Sequence, residues 1–205
     1  MTTPPYRIVT PRIVLRCYQP TDAQALETAI HASLDHLKPW MPWAHDEPEP
    51  LEAKVERLRM FRGKFDLDQD YVYAIFSPDE SRLIGGTGLH PRVGPDALEI
   101  GYWIAAADAE KGYATEASAA LTRVAFEVAG VRRMEILCDP RNVRSAAVPR
   151  KLGYTLEATL RGRVAVPGGP AYDLMSWTLL RDEYAGTPSA VAELEAFDVV
   201  GRRLL

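Results

Sequence analysis

The chain has 205 residues, 47% of them hydrophobic and 25% charged, with a formal net charge of -4. That length suits one domain with a modest extension and a core large enough to need no staples, and the acidic balance argues against a broad nucleic-acid or anionic-membrane surface. Cys17 and Cys138 lie far apart in strand-like runs without C-x-x-C spacing, so buried reduced thiols are expected rather than a disulfide framework.

The lead-in, Met1 to Arg7, carries two prolines and no apolar leader core, and no apolar run approaches membrane-spanning length, so a cytoplasmic, non-membrane protein is expected. Arg12 to Tyr18 alternates like a first strand. Pro20-Thr21-Asp22 supplies a helix start, with Thr21 or Asp22 as N-cap, for a helix running to about Ala32. In His36 to Trp43, two tryptophans stand beside two prolines, a composition incompatible with a regular helix or a central strand. Pro48-Glu49-Pro50 opens an amphipathic helix with Leu51, Val55, Leu58, Phe61 and Phe65 on one stripe.

Tyr71 to Phe76 and Arg82 to Leu89 read as strands joined through Ser77-Pro78-Asp79-Glu80, and Leu98 to Ile104 as a third. A helix follows from Thr115 to Ala129, ended by Gly130. Arg133 to Cys138 is a strand and Arg144 to Leu152 a short helix. Tyr154 to Val166 and Ala171 to Leu180 form a hairpin around Pro167-Gly168-Gly169-Pro170. A last helix is expected over Ser189 to Phe197, within an extension (residues 186–205) that follows a main domain over residues 1–185. Antiparallel strands interleaved with helices predict an α+β fold, a mixed, mostly antiparallel sheet covered on both faces, and not a doubly wound nucleotide fold.

Two segments carry the chemistry. A pyrophosphate needs inward-pointing backbone N–H groups and no crowding Cβ, and a glycine opening a helix provides both. Asp108 to Ala114, with Gly112, supplies such a turn after the strand ending at Ile104, although alone it reads more readily as an ordinary strand-to-helix loop. Neither the Walker pattern nor the dinucleotide fingerprint is present. Asn142 lies just past a later strand, where its carboxamide could donate to and accept from an extended amide chain, or simply cap the next helix.

The ordered set Thr10-Pro11-Arg12-Ile13-Val14-Leu15-Arg16, Trp40-Met41-Pro42-Trp43, Glu99-Ile100-Gly101-Tyr102-Trp103-Ile104, Lys111-Gly112-Tyr113-Ala114-Thr115-Glu116-Ala117, Asn142-Val143-Arg144-Ser145 and Lys151-Leu152-Gly153-Tyr154 resembles the GNAT N-acetyltransferases. Within them it is similar to the RimJ/RimL-like branch that acetylates ribosomal-protein N-terminal amines. The resemblance spans roughly Pro11 to Tyr184. It implies a sheet that splays between Glu99–Ile104 and Arg133–Cys138, with acetyl-CoA as cofactor entering the gap. The pyrophosphate would meet amides of Glu110, Lys111, Gly112, Tyr113, Ala114 and Thr115. Pantetheine would run along Trp103 and Ile104, and Asn142, Ser145 and Lys151 would close the other side. The chain departs from the pattern at Ala109, where Gln or Arg is usual, at Glu110, where a second glycine is usual, and at Pro149, where many relatives place a tyrosine acid.

Transfer of an acyl group from a thioester to an amine by direct attack needs no covalent enzyme intermediate. By alternation Glu99 shares a strand face with Gly101 and Trp103. A carboxylate there is either a base, acting directly or through water, or a salt-bridged structural residue. The resemblance implies Ser145 as proton donor to the leaving thiolate, and the oxyanion would rest on backbone N–H groups near Trp103 and Ile104. Trp40 and Trp43, with Glu99, would line the acceptor side, or the tryptophans pack under a loop. His31, His36, His45 and His90 form no metal-ligand pattern and read as surface or loop residues, unless one lies near the cleft. The expected partners are an acyl-CoA and an amine, most plausibly a protein or peptide α-amine, in a monomer or homodimer. The rivals are a small amine such as an aminoglycoside or polyamine, or an idle acyl-CoA-binding protein.

Overall fold

The computed structural model describes residues 2–165 and 171–205, which leaves Pro167-Gly168-Gly169-Pro170 outside the described residues. Its strands are β1 (Arg7–Val9), β2 (Val14–Cys17), β3 (Tyr71–Phe76), β4 (Leu83–His90), β5 (Ala97–Ile104), β6 (Arg133–Cys138), β7 (Thr155–Val164), β8 (Tyr172–Leu180) and β9 (Glu195–Phe197). They form one sheet in the order β7-β8-β6-β5-β4-β3-β2-β1-β9. All neighbours are antiparallel except β5 and β6, which run parallel because a helical crossover joins them.

The helices are α1 (Ala23–His31), α2 (Leu34–Leu37), α3 (Leu51–Asp66), α4 (Tyr113–Val124), α5 (Val143–Lys151) and α6 (Arg181–Tyr184). Alternation along the central strands sorts two apolar layers. Leu98 and Ile100 of β5 pack with Ala117, Leu121 and Val124 of α4 on one face. Val14, Ala74 and Phe76 pack with Leu26, Ile30 and Leu58 of α1 and α3 on the other. The sheet is therefore covered on both sides, as the sequence predicts.

At the two ends of the chain the structure departs from the sequence reading. Arg7–Val9, expected as lead-in, is a strand pairing with both β2 and β9. The helix expected over Ser189 to Phe197 is absent; a 3₁₀ turn (Pro188–Val191) and β9 replace it. The β1 edge offers unpaired backbone groups, and Ala196 is fully buried against the core, so tertiary pairing overrides a locally helical composition. The long crossover helix also changes character, closing from Ala125 to Ala129 in a wider π turn. There Arg181 Nη1 donates to the Phe126 and Val131 carbonyls.

Candidate active site

β5 and β6 are paired only from Ala97–Arg133 to Ile100–Ile136. Beyond that row each strand continues, β5 held by β4 as far as Ile104 and β6 by β8 as far as Cys138. Between them the sheet opens from Gly101 onward, and backbone groups that would have bridged the two strands face a gap. A cavity of about 480 Å³ occupies this opening, bounded by β5, the loop to α4, α5 and the tryptophan segment after α2.

The loop to α4 is shaped by a left-handed glycine. Gly112 has φ +86°, a conformation that costs a side-chain-bearing residue about 1–2 kcal/mol. It turns the chain so that the N–H groups of Tyr113, Ala114 and Thr115, which have no acceptor within the helix, stand at the cavity wall. The turn is fastened from outside. Glu116 accepts from Thr10 Oγ1 (2.6 Å) and Arg12 Nε (2.6 Å), Arg12 Nη1 donates to the Lys111 carbonyl (2.9 Å), and the Arg12 guanidinium lies over the Tyr113 ring. On the inner side the buried Asp108 holds Lys111 Nζ (3.0 Å) and Arg82.

Across the gap, Asn142 caps α5, its Oδ1 accepting from the Ser145 N–H at 3.0 Å. Pro149 sits inside α5 and has no N–H to offer the Ser145 carbonyl one turn before it. Tyr102 of β5 fills that deficit by donating its hydroxyl to the Ser145 carbonyl (3.1 Å), and the Ser145 hydroxyl lies 3.0 Å from the same tyrosine oxygen. Burial pushes the Tyr102 hydroxyl well above its ordinary pKa, so it stays protonated. Burial also raises the Cys138 thiol.

The cavity brings together Trp40, Trp103, Ile104, Glu110, Gly112, Tyr113, Ala114, Thr115, Asn142, Ser145 and Lys151 of the residues singled out from sequence. Lys111, engaged by Asp108, is not among its lining residues. Trp43 stands behind the wall, edge-on to Trp103 at 5.9 Å between ring centroids. Glu99 also lies outside the lining, its carboxylate held in a two-point contact by Arg92 at 2.5 and 2.8 Å. Sequence reasoning missed Tyr102. The signal available was Pro149, whose freed carbonyl required a donor. It also missed Arg141 and Arg144, which line the mouth from the α5 side.

A family model for the acetyltransferase (GNAT) domain matches residues 12–155. The chain belongs to the GNAT acetyltransferase family. Among its relatives, Bacillus subtilis (strain 168) YdaF, provisionally named a ribosomal N-acetyltransferase, is 29% identical over 185 residues, covering 87% of this chain and 96% of YdaF. The [ribosomal protein uS5]-alanine N-acetyltransferase of Escherichia coli (strain K12) is 26% identical over 170 residues, covering 80% of this chain and 86% of its own. The solved structure of RimL, a ribosomal L7/L12 α-N-protein acetyltransferase in complex with coenzyme A, superposes with a TM-score of 0.77 at 20% identity, over 89% of this chain and 99% of RimL. The splayed pair β5/β6 and the glycine turn thus stand in a chain of GNAT N-acetyltransferase type. Among the described residues no cluster of three or more His, Cys, Asp or Glu is placed to hold a metal, and no helix is long and apolar enough to cross a membrane.

Proposed function

We propose that this enzyme transfers an acetyl group from acetyl-CoA to the α-amine of a protein or peptide N-terminus, by direct attack with both substrates bound. The observation that carries the reading is the parting of β5 from β6 at Gly101 above a glycine-led helix N-terminus. An extended amide chain can complete the bare strand edge there while its phosphates meet free N–H groups. The residues fit such a donor. A Cβ built on Gly112 would meet only the Arg12 guanidinium, at 3.4 Å and from outside the turn, so the backbone angle and not crowding calls for glycine there. Tyr113, Ala114 and Thr115 would hold the pyrophosphate through their N–H groups, and Arg141, Arg144 and Lys151 give the mouth a cationic rim. Glu110, which replaces a glycine, pairs with Arg144 across that mouth. Acetyl-CoA supplies an activated thioester carbonyl.

The chain's own groups supply the rest. Residues 101–104 present backbone groups to the gap, and N–H groups among them suit a developing oxyanion. Ser145, backed by the protonated Tyr102, serves as proton donor to the departing thiolate. Trp40, with His36 and Met41, forms the acceptor wall, and Trp43 buttresses Trp103 from behind.

The α-amine is favoured over a lysine amine because, among the described residues, no acidic group facing the cavity is free and close to the opening. Glu99 is occupied by Arg92, Asp108 by Lys111 and Arg82, and Glu110 by Arg144. A peptide α-amine, with a pKa of roughly 7.7–8.0, is partly neutral at physiological pH, whereas a lysine amine near about 10.4 needs strong deprotonation. The uS5-alanine and L7/L12 α-N-acetyltransferases named above support that choice. The test is incubation with acetyl-CoA and a mixed panel of N-terminal peptides, lysine peptides and small amines, read by mass spectrometry. Acetylation at peptide α-amines is expected; acetylation confined to small amines, or none, overturns the reading.

A further inference from the structure

A second constellation lies on the α1/α3 side of the sheet, outside the cavity lining. His90 Nδ1 is 2.6 Å from Asp70 Oδ1, and both side chains are largely shielded from solvent. Burial raises the Asp70 carboxyl while the His90 hydrogen bond lowers it; the bond wins and Asp70 stays ionised. With Nδ1–H donated to that carboxylate, Nε2 carries the free lone pair, and among the described residues it has no hydrogen-bond partner.

The imidazole is aimed by missing side chains. Paired residues on adjacent strands share a face, and the pairs here are Gly86–Trp103, Gly88–Gly101 and His90–Glu99. A Cβ at Gly88 would come within 2.7 Å of His90 Cε1 and Nε2, and one at Gly101 within 3.3 Å of Nε2. The ring therefore lies back over two bare glycines, with Nε2 next to Gly101. Gly101 is the first residue of β5 with no partner on β6, the point where the sheet opens. Trp103, which lines the cavity, stands on the same face two residues further on.

We infer that the Asp70–His90 pair is the general base of this enzyme: His90 Nε2 takes the proton from the acceptor ammonium at the Gly101 end of the opening, and Asp70 fixes the ring. The inference rests on the α-amine reading above. The ammonium gives one proton to Nε2. The neutral nitrogen then forms the N–C bond to the thioester carbonyl as the C–S bond breaks. His90, having passed its first proton to solvent, takes the nitrogen's second as the C–S bond breaks, Ser145 protonates the departing thiolate, and a proton returned through solvent restores Ser145. A base of histidine strength matches an α-amine and would not suffice for lysine. The charged groups around the pair are Lys64 of α3, Arg92 after β4, and Glu99 of β5, already neutralised by Arg92; Glu135, aligned with Glu99 on β6, is held by Arg133.

The test compares wild type, His90→Gln, Asp70→Asn and Glu99→Gln on an N-terminal peptide from pH 6 to 9, with the acetyl-CoA-induced thermal shift as a control for folding and donor binding. His90→Gln is expected to lower kcat roughly 10²-fold near neutral pH, the low end for a positioned base. The deficit should shrink toward pH 9, where the amine is already neutral, and the acetyl-CoA shift should be unchanged. Asp70→Asn should move the acid limb of the wild-type profile, and Glu99→Gln should leave that limb in place. A His90→Gln rate within twofold of wild type, or a loss equal at every pH, overturns the base; so does transfer of the limb's disappearance to Glu99→Gln. If His90→Gln does not fold, an unmoved limb in Asp70→Asn overturns it alone. A wild-type chain that binds acetyl-CoA but acetylates no amine overturns the α-amine reading, and the base with it.

Discussion

A proline in a helix withholds one N–H, and in α5 the carbonyl left short belongs to Ser145, which Tyr102 then satisfies from the neighbouring strand. The same contact sets a tyrosine hydroxyl and a serine hydroxyl side by side at the opening, so a backbone deficit places two proton-bearing groups where the proposed reaction would release a thiolate. Tyr102→Phe should therefore cost about 1 kcal/mol of stability by stranding a buried carbonyl, and should also slow turnover. Pro149→Ala returns an N–H to that carbonyl, so the stability cost of Tyr102→Phe should be smaller in the Pro149→Ala background. Thermal melts of the four proteins in the cycle measure the difference; equal costs in both backgrounds would show that the tyrosine does not stand in for the missing N–H.

At the scale of elements, the start of α4 is the part most dependent on one backbone angle. A methyl at Gly112 meets nothing closer than the Arg12 guanidinium, so its penalty comes from the positive φ and not from crowding. Gly112→Ala is expected to destabilise the fold by about 1 kcal/mol and to weaken acetyl-CoA binding severalfold, because relief of strain would rotate the first-turn N–H groups away from the cavity. Calorimetric titration with acetyl-CoA checks this; unchanged affinity would mean that those N–H groups do not meet the phosphates. The turn was legible in sequence because Gly112 and the helical periodicity after it are local. Its fastening was not, since Thr10 and Arg12 reach Glu116 only after the chain has folded back across the sheet. Glu99 was legible as a buried strand carboxylate, but its engagement by Arg92, beyond the end of β4, follows from strand register. His90 read as a surface or loop histidine because its partners are not local in sequence: Asp70 precedes β3 and Gly101 lies on β5.

Over the whole molecule, the ionisable groups define a stability plateau. Burial opposes ionisation of Asp70, Glu80 and Glu47, yet hydrogen bonds from His90, from Arg7 and Arg16, and from Lys54 leave all three below their ordinary values. A carboxylate whose folded pKa is depressed contributes stability above its unfolded value, and that contribution fades as pH falls through the folded value. Buried Tyr18, Tyr73 and Tyr154 are shifted upward by desolvation, so above an unfolded tyrosine pKa of about 10 the unfolded chain ionises first and stability falls again. The melting temperature should be nearly level from about pH 5 to 9 and decline on either side, below about pH 4 and above about pH 10. A steady slope across the neutral range in a pH series of melts would contradict it. The central sheet and its helices were readable because hydrophobic period and turn residues agree locally there. β1 and β9 were not, because each is only three residues long and owes its conformation to the other's edge.

One buried ion pair bears on how a substrate is received. Lys54 and Glu47, both withdrawn from solvent, join at 2.8 Å and anchor the end of the segment that carries Trp40 and Trp43 to α3. An incoming acceptor thus meets a surface already standing, and little of its affinity is lost to freezing a loose flap. Selectivity at such a surface is a matter of shape and length and not of induced closure, so recognition should be confined to the part of the acceptor that borders its amine.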